Sequence, residues 1–374
     1  MKIALVHDYL FGYGGAERVL ETLHEMWPDA PVYTSFVDWE WLKKNKKDWL
    51  KWKIIPSWFD RIPFKKNLCS PLRFLAPWIW ESFDLQEFDV VISSSAWFVP
   101  KGIITHPGTS HICYCHTPPR YLYGYPESGG EKSFLAKLYA AIINPGMRHY
   151  DFITSQRVDY FLCNSENVKH RIKKFYRRDA QVIYPPINTR IKNYELRIMN
   201  KDEDYYLMVN RLVWPKRVDL AIEVCKKLKL NLKIVGEGKL ESQLKDLAQG
   251  SPNIQFLGYV NQQELNKLYS NCKAVLYLAQ EEDFGMTPIE AAAAGKPVIA
   301  LKSGGLVESV IDGKTGMFIK KADVNSLGRI ITEFEKNPGK IRPENCIIQA
   351  EKFSKTKFEQ EINKFISRIV QNEN

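Results

Sequence analysis

The segment AVLYLAQEEDFGMTPIEAAAAGKPVIA, residues 274–300, contains two short apolar runs separated by a stretch with the pattern of a helix. Residues 274–278 and 297–300 form the apolar runs, and Pro288 suits the first turn of the helix between them. Two apolar strands joined by a helix predict a right-handed βαβ unit whose parallel strands are buried on both faces.

The same alternation recurs along the chain in two series. The expected strands are residues 2–7, 89–93, 110–115, 160–163 and 181–184 in the first series, and residues 206–209, 232–235, 254–257, 274–278 and 297–300 in the second. The sequence therefore predicts an α/β protein with two Rossmann-like domains, each with a parallel sheet. We expect the domains over residues 1–190 and 205–346, a polar linker over 191–204, and a terminal segment, 347–374, whose helix covers residues 350–370.

Composition restricts the class of protein. Of the 374 residues, 45% are hydrophobic and 26% are charged, which excludes a disordered or fibrous chain. No stretch reaches the roughly 18 apolar residues of a membrane-spanning helix, and the first apolar run is too short for a signal peptide. Seven cysteines, an odd number without framework spacing, are typical of reduced thiols, so we expect a cytoplasmic protein.

The net charge of +10 is unevenly distributed. Ten Lys or Arg and two acidic residues lie between Trp41 and Trp80, and nine of the ten tryptophans lie at or before Trp97. A basic, Trp-rich segment favours docking on an anionic membrane surface. An acceptor groove without lipid contact is one alternative. Nucleic acid is another, and it is disfavoured because no basic recognition helix or RNA-binding aromatic strand is present.

Ligands of open α/β sheets bind beyond the carboxyl ends of the strands, so the loops that follow strands are the candidate site. After the first strand, Gly14 and Gly15 allow a close approach of the backbone, and the next helix offers free N–H groups to an anion. A tight turn without a ligand is the alternative interpretation. The glycine spacing does not match GxGxxG, which disfavours NAD.

The loop after residues 206–209 carries three cations, Arg211, Lys216 and Arg217, at the start of a helix. Cations at this end oppose the helix dipole, so their placement favours a bound anion. The Arg fork and the Lys point charge are both suited to phosphate. A solvated run of charges is the alternative.

The loop after residues 274–278 carries two carboxylates eight residues apart, Glu282 and Glu290. Between them, the backbone N–H groups around Gly285, Met286 and Thr287 can bind a phosphate. The carboxylates can accept hydrogen bonds from hydroxyl groups on either side of it. A molecule with hydroxyls at both ends and a diphosphate in the middle is a nucleotide sugar.

Two clusters carry residue types found in metal sites. Cys113, Cys115 and His116 lie too close in sequence for a tetrahedral zinc site, and no second ligand pair is present. The acidic run at residues 202–204 lies in the predicted linker and is interpreted as solvated charge. We therefore expect no metal ion and no cofactor besides a nucleotide-sugar substrate.

The run from Glu282 to Glu290, with the alanine-rich segment up to Val298, resembles the donor-site signature of retaining glycosyltransferases of family 4. The likeness covers most of the chain and includes Gly14-Gly15-Ala16-Glu17, Asn164-Ser165, Tyr184-Pro185-Pro186, Arg211 with Lys216, Gly236-Glu237-Gly238 and Ser303-Gly304-Gly305. Residues 114–122, YCHTPPRYL, are similar to WbaZ-type O-antigen mannosyltransferases. Asn210 and Asp283 stand where the family usually has glycine. The resemblance implies the GT-B fold, in which two Rossmann-like domains face a central cleft and a C-terminal helix crosses back to the first domain.

The resemblance implies four catalytic residues. Arg211 and Lys216 would bind the donor diphosphate and neutralise it as it leaves, which requires no metal ion. Glu282 would hold the donor sugar. His116 matches a histidine near the reacting sugar, and a buried structural histidine is the alternative.

The resemblance also assigns substrate-binding residues. Glu290 would hold the ribose hydroxyls, and Gly14 and Gly15 would approach the phosphate. The backbone groups that would assist Glu282 belong to Phe284, Gly285, Met286 and Thr287.

The function implied is that of a retaining, metal-independent hexosyltransferase. It would move mannose from GDP-mannose to a saccharide or lipid-linked acceptor in the synthesis of cell-surface polysaccharide such as O-antigen, at the inner face of the cytoplasmic membrane. UDP-glucose or another UDP-hexose is the alternative donor. A non-catalytic scaffold that binds sugar nucleotides is the alternative of another class.

Overall fold

Two parallel sheets organise the chain, which the computed structural model describes over residues 1–126, 133–187 and 204–372. Each sheet belongs to its own unit. Among the described residues, the first unit includes the chain up to Tyr125, residues 133–186 and the chain from Phe358 on, and the second unit includes Pro126 and residues 187–357. The predicted α/β class with two parallel sheets is confirmed. The linker expected at residues 191–204 lies outside the described residues except for Asp204.

Seven strands form the sheet of the first unit. They are β1 (Ile3–His7), β2 (Val32–Thr34), β3 (Ile54–Pro56), β4 (Val90–Ser95), β5 (Ser110–Cys115), β6 (Tyr160–Cys163) and β7 (Ala180–Val182). All are parallel, in the order β3-β2-β1-β4-β5-β6-β7. The sequence did not predict β2 and β3, because three residues are too few to show a period.

Helices cover both faces of this sheet. They are α1 (Gly15–Met26), α2 (Trp39–Asn45), α3 (Lys65–Leu68), α4 (Ala76–Trp80), α5 (Phe134–Gln156) and α6 (Glu166–Tyr176), with 3-10 turns at Lys47–Lys51, Trp58–Arg61, Arg73–Leu75, Pro100–Gly102 and Arg120–Leu122. Successive residues of β1 face opposite sides: Ile3 and Leu5 belong to one core, and Ala4 and Val6 to the other.

Six parallel strands form the sheet of the second unit. They are β8 (Tyr206–Val209), β9 (Leu232–Val235), β10 (Ile254–Gly258), β11 (Ala274–Tyr277), β12 (Val298–Leu301) and β13 (Gly316–Ile319), in the order β10-β9-β8-β11-β12-β13. The sequence did not predict β13, an edge strand whose two central residues are only half-buried, so that it lacks a continuous buried apolar run.

The helices of the second unit alternate with its strands. They are α7 (Val218–Leu228), α8 (Glu241–Ala248), α9 (Gln262–Asn271), α10 (Met286–Ala293), α11 (Leu306–Ser309), α12 (Val324–Lys336) and α13 (Pro343–Glu351), with 3-10 turns at Trp214–Lys216 and Pro338–Lys340. Tyr206 and Met208 of β8 pack with α7 and α12, whereas Leu207 packs on the opposite face with residues of α9 and α10.

The terminal helix predicted over residues 350–370 is two helices, because α13 ends at Glu351 and α14 covers Lys355–Asn372. The break follows from backbone pairing: Ile187 donates to the Phe353 carbonyl at 2.9 Å, and the Lys355 N–H donates to the Ile187 carbonyl at 3.2 Å. From Phe358 on, α14 belongs to the first unit. Its apolar residues there are buried in the core that contains Ile3 and Leu5.

The basic, Trp-rich segment between Trp41 and Trp80 is not one continuous surface. Trp49 and Trp80 are fully buried, so they contribute to the core and cannot face a membrane. Trp58 and Trp78 are exposed, and the Trp58 indole N–H donates to the Trp78 carbonyl at 3.3 Å. Within the described part of the chain, no helix is long and apolar enough to span a membrane.

Candidate functional site

The order of the strands in the second unit reverses between β8 and β11. The chain moves from β8 outward to β9 and β10, then returns to β11 on the other side of β8. At such a switch point the loops after the two strands diverge and leave a crevice beyond their carboxyl ends. The loop after β8 carries Arg211 and Lys216, and the loop after β11 carries Glu282.

Lys216 and Glu282 are in direct contact. Lys216 Nζ lies 2.5 Å from Glu282 Oε2 and donates to the hydroxyl of Tyr277, the last residue of β11, at 3.0 Å. The two charged side chains are 15% and 16% exposed, so both are largely shielded from solvent. The pair joins the two loops at the switch point.

The charges of this cluster are mutually stabilised. Burial by itself lowers the pKa of the Lys216 ammonium, but the negative charge of Glu282 and the contact with Tyr277 outweigh it, and the pKa is raised above its ordinary value. Burial and the Glu282 charge also raise the pKa of Tyr277, so its hydroxyl keeps its proton. Lys216 is therefore a permanent cation at neutral pH.

Arg211 lies on the same loop but does not join this cluster. Its side chain is exposed, and it forms no salt bridge with any residue in the described ranges. Its loop is fixed on both sides, since the Leu212 N–H donates to the Glu237 carbonyl at 2.9 Å and Asn210 donates to the Val235 carbonyl at 3.1 Å. The backbone is held in place while the guanidinium remains accessible.

Glycines allow the loops to pack closely. A Cβ on Gly236 would lie 2.0 Å from the Asn210 carbonyl oxygen, and one on Gly304 would lie 2.1 Å from the Glu282 carbonyl oxygen. Gly304 has a φ of +57°, and the neighbouring Gly305 N–H donates to the Glu282 carbonyl at 2.8 Å. Gly304 and Gly305 therefore fix the backbone that presents Glu282, which is a structural role.

Helix α10 begins directly after this loop. Gly285 precedes its first turn with a φ of +88°, a conformation that favours glycine. Met286 and Thr287 open the helix, and the Thr287 hydroxyl lies 3.5 Å from the Val209 carbonyl. Phe284 is buried against Phe353, with 5.4 Å between ring centroids, so its side chain is structural and only its backbone can serve a ligand.

Glu290 lies within α10, in a different turn from the residues that open the helix. Its Oε2 accepts a hydrogen bond of 2.8 Å from the hydroxyl of Tyr269, on α9. Tyr269 and Tyr277 were not predicted as site residues from the sequence. Tyr277 occurs in the strand predicted over residues 274–278, which we interpreted as buried, and its hydroxyl near the carboxyl end of that strand was the available signal.

In the first unit, Gly14 and Gly15 are exposed at the start of α1. Gly14 has an extended φ of −137°, and its N–H donates to Glu17 Oε2 at 2.8 Å. The loop is thus capped by the acidic side chain of the first turn, and the helix N-terminus is open to solvent.

His116, by contrast, is buried after β5. Its Nε2 lies 2.8 Å from Ser94 Oγ, and Asn164 Nδ2 donates to its carbonyl at 3.0 Å. Burial, reinforced by His7, lowers its pKa to about 3, so the ring is neutral at physiological pH. Among the described residues, no group of three His, Cys, Asp or Glu side chains could hold a metal ion, and Cys113 and Cys115 are buried free thiols.

Comparisons with known proteins agree on the class. Residues 13–191 match the family model "Glycosyltransferase Family 4", and residues 195–353 match "Glycosyl transferases group 1". The chain is 26% identical to the α-1,3/1,6-mannosyltransferase ALG2 of Dictyostelium discoideum, over 99% of this chain and 98% of that protein. It is 30% identical to an uncharacterized glycosyltransferase of Methanocaldococcus jannaschii, a match that spans about half of either chain, 51% and 53%.

Among solved structures, the fold is similar to Anabaena HepE in complex with UDP and glucose, with a TM-score of 0.72 at 18% identity over 98% of this chain and 99% of that one. Two parallel Rossmann-like sheets and two glycosyltransferase matches, one in each half, define a glycosyltransferase of the GT-B fold. Within that class, the amino-terminal half of the chain, residues 13–191, matches glycosyltransferase family 4.

Proposed function

We propose that this protein is a retaining hexosyltransferase that moves mannose from GDP-mannose to a saccharide or lipid-linked saccharide acceptor without a metal ion. The observation that carries the proposal is the contact between Lys216 and Glu282 at the switch point of the second sheet. There a permanent cation, a carboxylate and the start of α10 occupy the edge where Rossmann-like sheets bind nucleotides. The mannosyltransferase relatives support mannose as the sugar.

Lys216 and Arg211 would supply positive charge to the diphosphate. Cleavage of the glycosyl–phosphate bond builds negative charge on the leaving oxygens, and fixed cations stabilise that charge without reorganisation. Lys216 is preorganised by Glu282 and Tyr277, whereas Arg211 is exposed and can turn toward the ligand. These two cations provide the charge that a metal ion supplies in other transferases.

Glu282 and Glu290 would bind hydroxyl groups of the donor. Glu282 is held by Lys216 and by the Gly305 N–H on its carbonyl, so its carboxylate is presented in a fixed position for the sugar. Glu290 is oriented by the Tyr269 hydroxyl and would accept from the ribose. The N–H groups of Met286 and Thr287 lie between them, at the start of α10, where a phosphate is favoured.

The acceptor side would involve a membrane. The basic segment carries four exposed aromatic residues, which are Trp58, Phe64, Phe74 and Trp78. An indole at a membrane interface keeps its apolar ring toward lipid, and nearby Lys and Arg attract anionic head groups. We place the protein at the inner face of the cytoplasmic membrane, in synthesis of a surface polysaccharide such as O-antigen.

Helix α5 carries a stripe of exposed apolar residues close to this segment. Leu135, Leu138 and Ile142 are spaced by three and four residues and are 74%, 50% and 68% exposed. The intervening Tyr139 donates its hydroxyl to the Pro71 carbonyl, and the Arg73 guanidinium lies 4.6 Å from its ring centroid. The stripe therefore adjoins the segment that carries Phe74 and Trp78.

A donor panel tests the proposal. Purified protein is incubated with GDP-mannose, UDP-glucose or an ADP-sugar in the presence of a chelator, and binding is read as a shift in melting temperature. Transfer to a lipid-linked saccharide is then followed, and the anomeric configuration of the product is determined by NMR. We expect GDP-mannose to stabilise the protein most and the product to retain the α configuration.

Each part of the proposal can fail separately in this panel. A preference for a UDP-sugar overturns GDP-mannose as the donor, and loss of activity with the chelator overturns metal independence. Binding without hydrolysis or transfer to any tested acceptor would indicate the non-catalytic scaffold instead. An inverted product would exclude the retaining mechanism.

A further inference from the structure

Four buried or half-buried side chains of the first unit form a chain that ends at His116. His7 Nδ1, at the end of β1, lies 3.0 Å from Ser94 Oγ on β4, and the same oxygen lies 2.8 Å from His116 Nε2. On the other side of the His7 ring, Nε2 lies 3.7 Å from Glu17 Oε1 on α1. His7 and Ser94 are 1% exposed, so the chain is shielded from water along most of its length.

The hydrogen-bonding capacity of each group fixes the direction of the chain. A hydroxyl donates one proton, so Ser94 can donate to only one of the two imidazoles. His7 Nε2 has no hydrogen-bond partner among the described residues, and the carboxylate of Glu17 is the nearby charge. A negative charge on that side favours the proton of the His7 ring on Nε2.

The tautomer of His7 determines the tautomer of His116 through the Ser94 hydroxyl. When His7 carries its proton on Nε2, its Nδ1 accepts from the Ser94 hydroxyl, and the Ser94 oxygen accepts from His116 Nε2–H. The lone pair of His116 then lies on Nδ1. We propose that Glu17, His7 and Ser94 are positioning residues that hold His116 in the Nε2–H tautomer, so that its Nδ1 accepts a hydrogen bond from a hydroxyl of the sugar substrate. The last clause rests on the proposed function, whereas the tautomer rests on the contacts alone.

Two further observations support the arrangement. Burial by itself raises the pKa of the Glu17 carboxyl, but His7 and the Gly14 N–H outweigh it and hold the pKa below its ordinary value, so the carboxylate is charged at neutral pH. The backbone of His116 is fixed independently, because its N–H donates to the Ser95 carbonyl at 2.8 Å. Glu17, His7 and Ser94 therefore affect the tautomer of the His116 ring, whose backbone position is set by other contacts.

The same sheet offers a matched control. Ser93 Oγ lies 2.8 Å from His111 Nε2, again between β4 and β5, and both side chains are fully buried. This pair points to the opposite face of the strand and has no contact with Glu17. A Ser93→Ala variant loses a buried serine–histidine hydrogen bond of the same kind, and it leaves the contacts of His7, Ser94 and His116 unchanged.

The test is the tautomeric state of His116 in the full-length protein, measured by two-bond ¹H–¹⁵N correlation NMR with ¹⁵N-labelled histidine. The His116 signals are assigned with a His116→Asn variant. We expect Nε2–H in the unsubstituted protein, and a mixture of tautomers in Ser94→Ala and in Glu17→Gln, which keeps an acceptor for the Gly14 N–H. Ser93→Ala should leave the His116 signals unchanged. A proton on Nδ1 of His116 in the unsubstituted protein would overturn the proposal. Unchanged His116 signals in both Ser94→Ala and Glu17→Gln would also overturn it.

Kinetics separate this proposal from the proposed function. Ser94→Ala and Glu17→Gln should each lower kcat roughly tenfold, the equivalent of one hydrogen bond, with the KM of the donor less affected and Ser93→Ala near normal. If transfer occurs and Ser94→Ala and Glu17→Gln both have the kcat of the unsubstituted protein, the positioning role is refuted, but the transferase activity is not. If no nucleotide sugar binds but the His116 tautomer responds as expected, the proposed function fails, whereas the effect of Glu17, His7 and Ser94 on the tautomer is confirmed.

Discussion

Lys216 Nζ and Glu282 Oε2 lie 2.5 Å apart, which links the loop after β8 to the loop after β11 at the switch point of the second sheet. The residue expected to bind the diphosphate and the residue expected to bind the sugar are therefore one ion pair. This relationship means that substitution of either residue affects the other, since a charge left without its partner in a half-buried site is unfavourable.

Breaking this pair should show strong energetic coupling. In a double-mutant cycle of Lys216→Met and Glu282→Gln, we expect a coupling free energy of roughly 1–3 kcal/mol, typical of residues in one buried network. The exposed pair Lys245–Glu241, at 2.7 Å on α8, serves as the control and should couple by about 0.3–0.5 kcal/mol. Urea unfolding of the four variants of each pair gives both values. Equal coupling in the two pairs would show that the site pair is as solvated as the surface one.

Loss of either cation should slow transfer. By analogy with the removal of one oxyanion donor, Arg211→Ala or Lys216→Ala should reduce kcat by about 10²–10³. Lys245→Ala removes the same charge from an exposed ion pair in the same unit and should have no effect on turnover. Initial rates with saturating donor measure the change. Near-normal turnover of Arg211→Ala would show that Arg211 does not stabilise the leaving diphosphate.

The Gly304 position should be intolerant of a side chain for reasons of space. Gly304 and Gly313 both have a positive φ, +57° and +72°, but a Cβ at Gly304 would lie 2.1 Å from the Glu282 carbonyl oxygen, whereas a Cβ at Gly313 would have nothing within 4 Å. Gly313→Ala should cost only the left-handed strain, about 1–2 kcal/mol. Gly304→Ala should cost more and also weaken donor binding, because the loop that carries Glu282 must move. Calorimetric titration with the donor and urea unfolding distinguish the two variants, and equal losses would argue against a fixed Glu282 loop.

The proposed membrane contact depends on exposed apolar side chains of the first unit. Leu138→Asp or Ile142→Asp should each weaken binding to vesicles with anionic lipid by roughly tenfold, since each removes a large apolar side chain from the interface. Ile348→Asp, at a position 61% exposed in the second unit, is the control. Flotation at low and high salt measures binding. Failure of the unsubstituted protein to bind these vesicles at low salt would contradict the membrane location.

Much of the fold followed from local sequence. The strands at residues 110–115 and 160–163 have the predicted bounds, because a short, mainly apolar run is a strong signal of a parallel strand that is buried on both faces. The three-residue strands β2 and β3 were missed, since their pairing is decided by neighbouring strands and not by a period of their own. The break between α13 and α14 was missed for the same reason: the bridge to Ile187, distant in sequence, creates it.

The sequence by itself determined the class of fold and the loops in which the charged residues lie, because strand and helix periodicity and the position of a loop after a strand are local properties. Only the tertiary structure decided which of these residues meet. It paired Lys216 with Glu282 and Tyr277, left Arg211 exposed, gave Glu290 a separate partner in Tyr269, and buried Trp49 and Trp80 while exposing Trp58 and Trp78. The physical reason is that a side chain's partners and its exposure depend on the order of strands in a sheet, which brings together segments more than sixty residues apart.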